Sequence, residues 1–352
     1  MMNLIALVMI ARNESRCIER SLKTVQPWVD DMVVLDTGST DRTVELAQAC
    51  GARVFHFDWV DDFSAARNAA LALTSAHWRL IMDADEWLES GAEVFQSLRT
   101  QPPNFIGQVT IRSFFDQGIT GVEQSSARLS RILPAGVQYE GRVHEQPVSH
   151  LPHRRLPLVL GHDGYLPEPM KTKAGRNQSL LRLSLESTPD DAYLQYQLAK
   201  DLEIHGLFEQ AAPWYDKAYA AAGRQVPWRH DLVLRRLFTL KKIGDVERAV
   251  ILCQEELPHW QHSPDFYFTM GDVFLDCALH DSTRVNELLP MIEFCWQRAI
   301  EIGDTPDLPD SVMGRGSFLA AHNLAVFHEA LGHTAEARKW QEKSATMRSS
   351  LS

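Results

Sequence analysis

The chain has 352 residues, 45% hydrophobic and 23% charged, a globular composition long enough for two buried cores and unlike that of disordered, collagen-like or low-complexity proteins. Its 35 basic and 46 acidic residues leave a net charge of −11. The surplus is even, with 15 basic and 21 acidic groups in residues 1–170 and 20 and 25 in the rest, so a nucleic-acid polymer and electrostatic adhesion to anionic lipid are both excluded as readings.

The first ninety residues alternate strand and helix signals. Residues 4–10 are a continuous apolar run, as expected of a strand buried on both faces of a parallel sheet. This opening run lacks the basic flank and cleavage site of a leader and is far short of the ~20 residues of a membrane span. After Ala11-Arg12-Asn13-Glu14-Ser15, the three- and four-residue spacing of Cys17, Ile18, Leu22 and Val25 predicts a helix closed by Pro27. A second strand, 32–35, ends at Asp36-Thr37-Gly38-Ser39-Thr40-Asp41, where Thr40 or Asp41 is expected to N-cap a helix carrying Val44, Leu46 and Ala47. Gly51 ends that helix, 53–57 reads as a third strand, 65–73 as a helix, and 78–82 as a fourth strand stopping at Asp83-Ala84-Asp85. This is the βαβ alternation of an open, doubly wound sheet. Between 105 and 165 the apolar runs shorten, and 108–111, 127–133 and 156–160 read as strands of a mixed sheet.

Beyond Lys171 the chain is almost all helix. Gly206 with Ala211, Tyr215 and Ala218, Gly244 with Ala249, and Gly332 with Ala337 repeat one pattern, the first two glycines 38 residues apart, near the ~34 of a tetratricopeptide repeat. Gly271 and Phe274 are the expected first-helix marks of a further, irregular unit, and the small residues are expected to let paired helices approach closely. Most of Trp214, Tyr215, Trp228, Trp260, Trp296 and Trp340 are expected in the core, with one or two facing a groove. Cys17, Cys50, Cys253, Cys277 and Cys295 form no CxxC pair, which points to reduced thiols in a cytoplasmic protein.

Ligands of open α/β sheets bind beyond the carboxyl ends of the strands. Carboxylates there can hold a divalent cation that takes diphosphate oxygens, or they are simply turn residues or a helix N-cap. Four ordered motifs decide between these: Leu7-Val8-Met9-Ile10-Ala11-Arg12-Asn13-Glu14, Val34-Leu35-Asp36-Thr37-Gly38-Ser39-Thr40-Asp41-Arg42-Thr43, Phe63-Ser64-Ala65-Ala66-Arg67-Asn68 and Leu80-Ile81-Met82-Asp83-Ala84-Asp85-Glu86. Over roughly residues 3–165 they resemble the nucleotide-sugar-dependent family 2 glycosyltransferases of the GT-A fold. The subgroup resembled has tetratricopeptide repeats behind the transferase and includes bacterial peptide S-glycosyltransferases of the sublancin type.

The resemblance implies a GT-A open mixed sheet, Rossmann-like in its nucleotide-binding half, in residues 1–168, and an all-α repeat domain in 169–352. It implies that Ala11 and Glu14 line the nucleotide pocket, Asp36 bonds base or ribose, Arg67 reaches base or phosphates, Asp83 sits by the ribose or the metal, and Asp85 ligates Mn2+ or Mg2+. His162, in Gly161-His162-Asp163-Gly164-Tyr165, is the candidate third ligand, and imidazole suits Mn2+ better than Mg2+. The structural alternatives are an Asx turn at Asp36 and a surface pair of Arg67 with Asp61 or Asp62. An inverting transfer needs a carboxylate to take the acceptor's proton. Within Tyr139-Glu140-Gly141-Arg142-Val143-His144-Glu145 the first choice is Glu145, then Glu140, with His144 a further base, unless Glu145 pairs with Arg142. Lys171, Arg176 and Asn177 either contact phosphate or start the helical half.

The expected donor is a nucleoside-diphosphate sugar, a UDP-sugar above others. The expected acceptor is a peptide or protein gripped by the repeats, with a saccharide or lipopolysaccharide as the alternative. About 165 residues are small for a whole transferase domain, which hands acceptor binding to the repeats; these can equally form a homodimer. A catalytically silent scaffold is the rival reading, opposed by the intact Asp36, Arg67 and Asp83-Ala84-Asp85. Nucleotidyl transfer would want a glycine-rich, lysine-bearing first loop, which Ala11-Arg12-Asn13-Glu14 is not.

Overall fold

The computed structural model describes residues 2–116, 122–165, 175–308 and 311–350. The chain divides into two compact units, Met1–Ser184 and Leu185–Ser352. Pro167, Pro169 and Lys171, where the sequence pattern breaks, lie outside the described residues.

In the first unit, β1 (Ile5–Ala11), β2 (Asp31–Asp36), β3 (Arg53–His56) and β4 (Trp78–Ile81) alternate with α1 (Ile18–Val25), α2 (Thr43–Ala49) and α3 (Phe63–Leu71). After these come β5 (Glu86–Ser90), α4 (Val94–Leu98), β6 (Ile106–Asp116), β7 (Val122–Pro134), β8 (Gln138–Glu140), β9 (Gln146–Val148) and β10 (His153–Tyr165). The main sheet runs β3-β2-β1-β4-β7-β6-β10-β5, and β8 pairs with β9 apart from it. The first four strands are mutually parallel, β7 is antiparallel to β4 and β6, and β10 is parallel to β6. The sheet is therefore mixed and open, as expected.

β1 lies between β2 and β4, so the winding reverses there and opens a crevice at the carboxyl ends of β1 and β4. The unbroken apolar run of β1 has a direct cause. Ile5, Leu7 and Met9 join one buried cluster with Trp78, Leu80 and Phe95, while Val8 joins another with Leu35, Ala70 and Ile81. Two expected helix starts move. Arg42 takes the N-cap position of α2 without a side-chain bond, and Asp41, one residue earlier, accepts the Thr43 N–H at 2.9 Å. α3 begins two residues earlier than its periodicity predicts, because Asp62 caps it, accepting the Ala65 N–H at 3.0 Å.

α5 (Arg176–Ser187) precedes four consecutive helical hairpins. These are α6 (Ala192–Ile204) with α7 (Phe208–Ala221), α8 (Arg229–Lys242) with α9 (Val246–Glu256), α10 (Pro264–His280) with α11 (Val285–Ile302), and α12 (Phe318–Ala330) with α13 (Thr334–Ser349). Ala211, Tyr215, Ala218 and Ala249 are fully buried, as their repeat positions require. Between the first two hairpins the buried Asp231 accepts from Lys200 Nζ at 3.1 Å and Arg235 Nε at 2.8 Å. Burial works against its ionisation, but the two cations outweigh it and hold the carboxyl well below its ordinary range. Of the six aromatics, Tyr215, Trp296 and Trp340 are buried. Trp214, Trp228 and Trp260 are half-buried, Trp228 stacking on Tyr196 with centroids 5.0 Å apart.

The repeat glycines serve a different end from the close helix approach expected of them. Gly206, Gly244 and Gly332 have φ of 75°, 73° and 77° and nothing within 4 Å of where a Cβ would lie; they reverse the chain between helices. Close approach belongs to Gly271, where a Cβ would stand 2.6 Å from Trp296 Nε1. Alanine favours a helix interior over glycine by about 1 kcal/mol. Gly271→Ala is nonetheless expected to destabilise the protein, by about 1–3 kcal/mol through overpacking, read from the denaturant midpoint of the full chain. An unchanged or raised midpoint would contradict this packing role.

Candidate active site

Two loops at the ends of β1 and β2 interlock. Asn13, in the left-handed region at φ 56°, accepts the Thr40 N–H at 2.8 Å and donates its own N–H to Ser39 Oγ at 2.9 Å. The Glu14 N–H donates to Thr43 Oγ1 at 2.8 Å, and the Ser15 N–H to Asp41 at 3.1 Å. Burial raises the Asp41 carboxyl, but hydrogen bonds from Thr43 and Ser15 outweigh it and bring it down to about 2. Ala11 is buried, its carbonyl accepting the Thr37 N–H at 2.9 Å. The buried Asp36 accepts from the Gly38 and Ser39 N–H groups at 3.1 Å, so the Asx turn is present. A carboxylate oxygen has two lone pairs, and this turn does not exhaust them.

The second cluster is built on Arg67 of α3. Asn68, its neighbour, pairs reciprocally with the Tyr139 backbone, donating to the carbonyl at 2.9 Å and accepting the N–H at 2.8 Å. The Phe63 N–H donates to the Arg142 carbonyl at 2.8 Å. These bonds dock the 139–145 segment on α3 and bring Glu145 to Arg67. Arg67 donates to Glu145 Oε1 from Nε at 3.0 Å and from Nη2 at 2.8 Å, and to Asp83 Oδ1 at 3.1 Å. The surface pair with Asp61 or Asp62 is not formed; Arg67 is only 5% exposed, and Asp62 is occupied as the α3 cap. Nor does Glu145 pair with Arg142, whose guanidinium donates to the Asp61 carbonyl at 3.0 Å.

Asp83 stands between two arginines. Arg131, inside β7, donates to Asp83 Oδ2 at 2.8 Å and to Glu86 Oε1 at 2.5 Å. The Asp83 N–H donates to Glu86 Oε2 at 3.0 Å. Burial opposes ionisation of Asp83, but Arg131 and Arg67 outweigh it and hold the carboxyl far below its usual range. Burial pushes Glu86 up to about 7 against the pull of Arg131. Each Asp83 oxygen accepts from one arginine and keeps a further lone pair. Arg67 Nη1 and Arg131 Nε are buried donors with no hydrogen-bond acceptor among the described residues, each costing about 1–3 kcal/mol until one is supplied.

Asp85 and His162 form the third group. Both are largely buried, and His162 Nε2 lies 3.6 Å from Asp85 Oδ2. His162 Nδ1 is 3.1 Å from Ser113 Oγ, the kind of outer bond that orients a ligating imidazole. Burial lowers the basicity of His162, but Asp85 and the further carboxylates Glu86 and Asp83 outweigh it and raise the imidazole above its ordinary value. Among the described residues no three His, Cys, Asp or Glu side chains gather closely enough to hold a metal by themselves. The Asp85 oxygen and His162 nitrogen fit a divalent cation whose other positions are filled by ligand oxygens.

The remaining candidates spread out. Glu140 is exposed at the end of β8, opposite Gln146 of β9. His144 takes φ 54° in the turn between those strands. Arg176 and Asn177 open α5, which is the helix-start alternative. Sequence patterning alone assigns no role to Asn68, Arg131, Asp163, Arg16 or Arg20. Arg131 carried one usable signal: a charge inside Leu129-Ser130-Arg131-Ile132-Leu133, where an apolar strand would exclude it unless it had buried partners.

Residues 6–124 match the model of Glycosyl transferase family 2. The chain is 31% identical over 261 residues to a TPR repeat-containing protein of Synechococcus elongatus, covering 70% of this chain and 64% of that one. It is 27% identical over 221 residues to the SPbeta prophage-derived glycosyltransferase SunS of Bacillus subtilis, covering 59% of this chain and 51% of SunS. It therefore spans about half to two thirds of the length of these curated relatives. Among solved structures it is similar to glucosyl-3-phosphoglycerate synthase from Mycobacterium tuberculosis, determined with Mn2+, UDP and glucosyl-3-phosphoglycerate. The identity is 28%, covering 33% of this chain and 45% of that one, with a TM-score of 0.26. Among the described residues no helix is long and apolar enough to cross a membrane.

Proposed function

This chain carries a family 2 glycosyltransferase domain ahead of tetratricopeptide-like helical hairpins, and from that premise we propose that it is a metal-dependent, inverting glycosyltransferase. It moves a sugar from a nucleoside-diphosphate donor, a UDP-sugar above others, to a peptide or protein acceptor held by the repeats. The single observation that carries this reading is the pairing of two clusters. Arg67, Asp83 and Glu145 are bonded together, and Asp85 and His162 face each other beyond the carboxyl end of β4.

Each of this chain's residues then has a task. Ala11 and Glu14 line the nucleotide pocket, and Asp36 accepts from base or ribose on the lone pairs its turn leaves over. Arg67, with Arg131 beside it, supplies positive charge toward the donor's base or phosphates. Asp85 and His162 would hold the Mn2+ or Mg2+, which would neutralise charge on the departing diphosphate. The acceptor's hydroxyl or thiol attacks the anomeric carbon as the bond from that carbon to the diphosphate oxygen breaks. The acceptor's proton passes to Glu145; both Arg67 bonds fall on Oε1, so Oε2 is the oxygen that receives it. The SunS likeness supports a peptide acceptor, and the helical hairpins give one a surface.

A thermal-shift screen of uridine, guanosine and adenosine diphosphate sugars, with and without Mn2+, tests this reading. A Mn2+-dependent rise in Tm with at least one donor, the uridine sugars first, is expected. No shift with any donor would contradict it and favour a silent scaffold.

A further inference from the structure

The buried carboxylate of Asp163 has no part in the chemistry above, yet it joins segments that do. Three N–H groups converge on it. Arg16 donates from Nη1 to Oδ2 at 3.1 Å and from Nη2 to Oδ1 at 2.9 Å, and Arg20 donates from Nη2 to Oδ2 at 2.8 Å. Arg16 directly follows the loop that carries Asn13, Glu14 and Ser15, and Arg20 lies one turn further on, in α1. Two guanidinium groups brought together, Arg16 ahead of α1 and Arg20 within it, repel each other unless an anion lies between them. Asp163 supplies that anion from β10.

Asp163 is equally tied to the metal-binding pair. His162 precedes it in the chain, and its own N–H donates to the Asp85 carbonyl at 3.4 Å. Trp87, two residues past Asp85, completes the joint. The Arg20 guanidinium lies 4.0 Å above its ring, and the indole packs so closely on Gly161 that a Cβ there would stand 2.3 Å from it. The bonds of Asn13 and Ser15 fasten the first loop toward the end of β2; the Asp163 clamp fastens it toward β10.

Resting on the donor-site reading above, we propose that Asp163 is a positioning residue. Through Arg16 and Arg20 it keeps the first loop, with Ala11 and Glu14, in register with Asp85 and His162, so that nucleotide and metal bind as one unit. Asp163 itself touches neither. Its removal therefore acts on binding and leaves the proton transfer and bond cleavage unaltered.

The test uses the full chain as wild type, Asp163→Asn, Arg16→Ala/Arg20→Ala and the triple variant. Affinity for UDP with Mn2+ is measured by calorimetry, and donor KM and kcat are measured separately. Asp163→Asn is expected to weaken UDP–Mn2+ binding about ten- to a hundredfold, the usual range for losing an orienting partner. Donor KM rises in step while kcat holds. The triple variant is expected to bind no worse than Asp163→Asn, because the three residues act as one unit. If Asp163→Asn does not fold, the Arg16→Ala/Arg20→Ala pair, at well-exposed positions, carries the same prediction. Wild-type affinity in the variants, additive losses, or a fall in kcat at constant KM would overturn the inference. If the wild type binds no nucleoside diphosphate at all, it is the donor-site reading that fails.

Discussion

Replacing Asp85 with asparagine is expected to slow nucleoside-diphosphate release about a thousandfold while the protein stays folded. Asp85 sits in the turn after β4, only 4% exposed, with His162 Nε2 3.6 Å from its Oδ2. Asparagine keeps the side chain's size and one carbonyl oxygen but loses the charge that makes the carboxylate a ligand. A bound cation contributes several kcal/mol to a transition state that gathers negative charge, and each 1.36 kcal/mol is a factor of ten in rate. The substitution also takes the anionic partner from His162, so some stability is lost with it. Release rates at saturating Mn2+, beside a thermal melt, check both halves. A folded Asp85→Asn variant of near-normal rate would contradict the metal assignment.

The second large effect falls on stability. Arg67→Met keeps the length and apolar stem of the side chain but removes the fork shared by Glu145 and Asp83. Arg131 remains on Asp83, so the loss falls chiefly on Glu145, whose side chain is 10% exposed and whose strong bonds come from Arg67. Breaking a buried pair by removing one partner costs about 3–5 kcal/mol, and the lower end is expected because Asp83 is still held. Urea denaturation of the full chain measures it. Adding Glu145→Gln should recover part of the loss, because the stranded charge is then gone. An Arg67→Met protein as stable as wild type would show that the buried pair contributes nothing to the fold.

How much of this was legible in the sequence depended on the range of the interactions. β1 announces itself as an unbroken apolar run because both faces of the sheet are covered, and the motif residues follow at the strand ends where the crevice opens. β5, α4, β8 and β9 carry no such signal. They are three to five residues long and owe their existence to tertiary partners such as the Asn68–Tyr139 pairing. The same holds for Arg67, whose motif marked it as important without revealing that Glu145, 78 residues on, would be its partner. The helical half shows the converse. The Gly206–Gly244 period was readable, but its purpose was misassigned, because spacing alone cannot separate a glycine needed for a left-handed turn from one needed for close approach. Only the indole of Trp296 against Gly271 distinguishes them.

The acidic surplus gains a meaning from the site. A chain of net charge −11 that binds an anionic donor needs local positive charge. Here Arg67 and Arg131 are buried among Asp83, Glu86 and Glu145. The cationic groups are thus placed and held before any ligand arrives, which is what electrostatic preorganisation requires.

The central claim, sugar transfer from a nucleotide donor with a metal held by Asp85 and His162, is tested most directly by release of nucleoside diphosphate. The assay runs a panel of nucleoside-diphosphate sugars with Mn2+, with Mn2+ plus excess EDTA, and with Asp85→Asn in place of the wild type. Release from at least one donor, the uridine sugars first, that is lost both with EDTA and in the variant is the predicted result. Release that survives EDTA and the substitution, or no release from any donor, would contradict it.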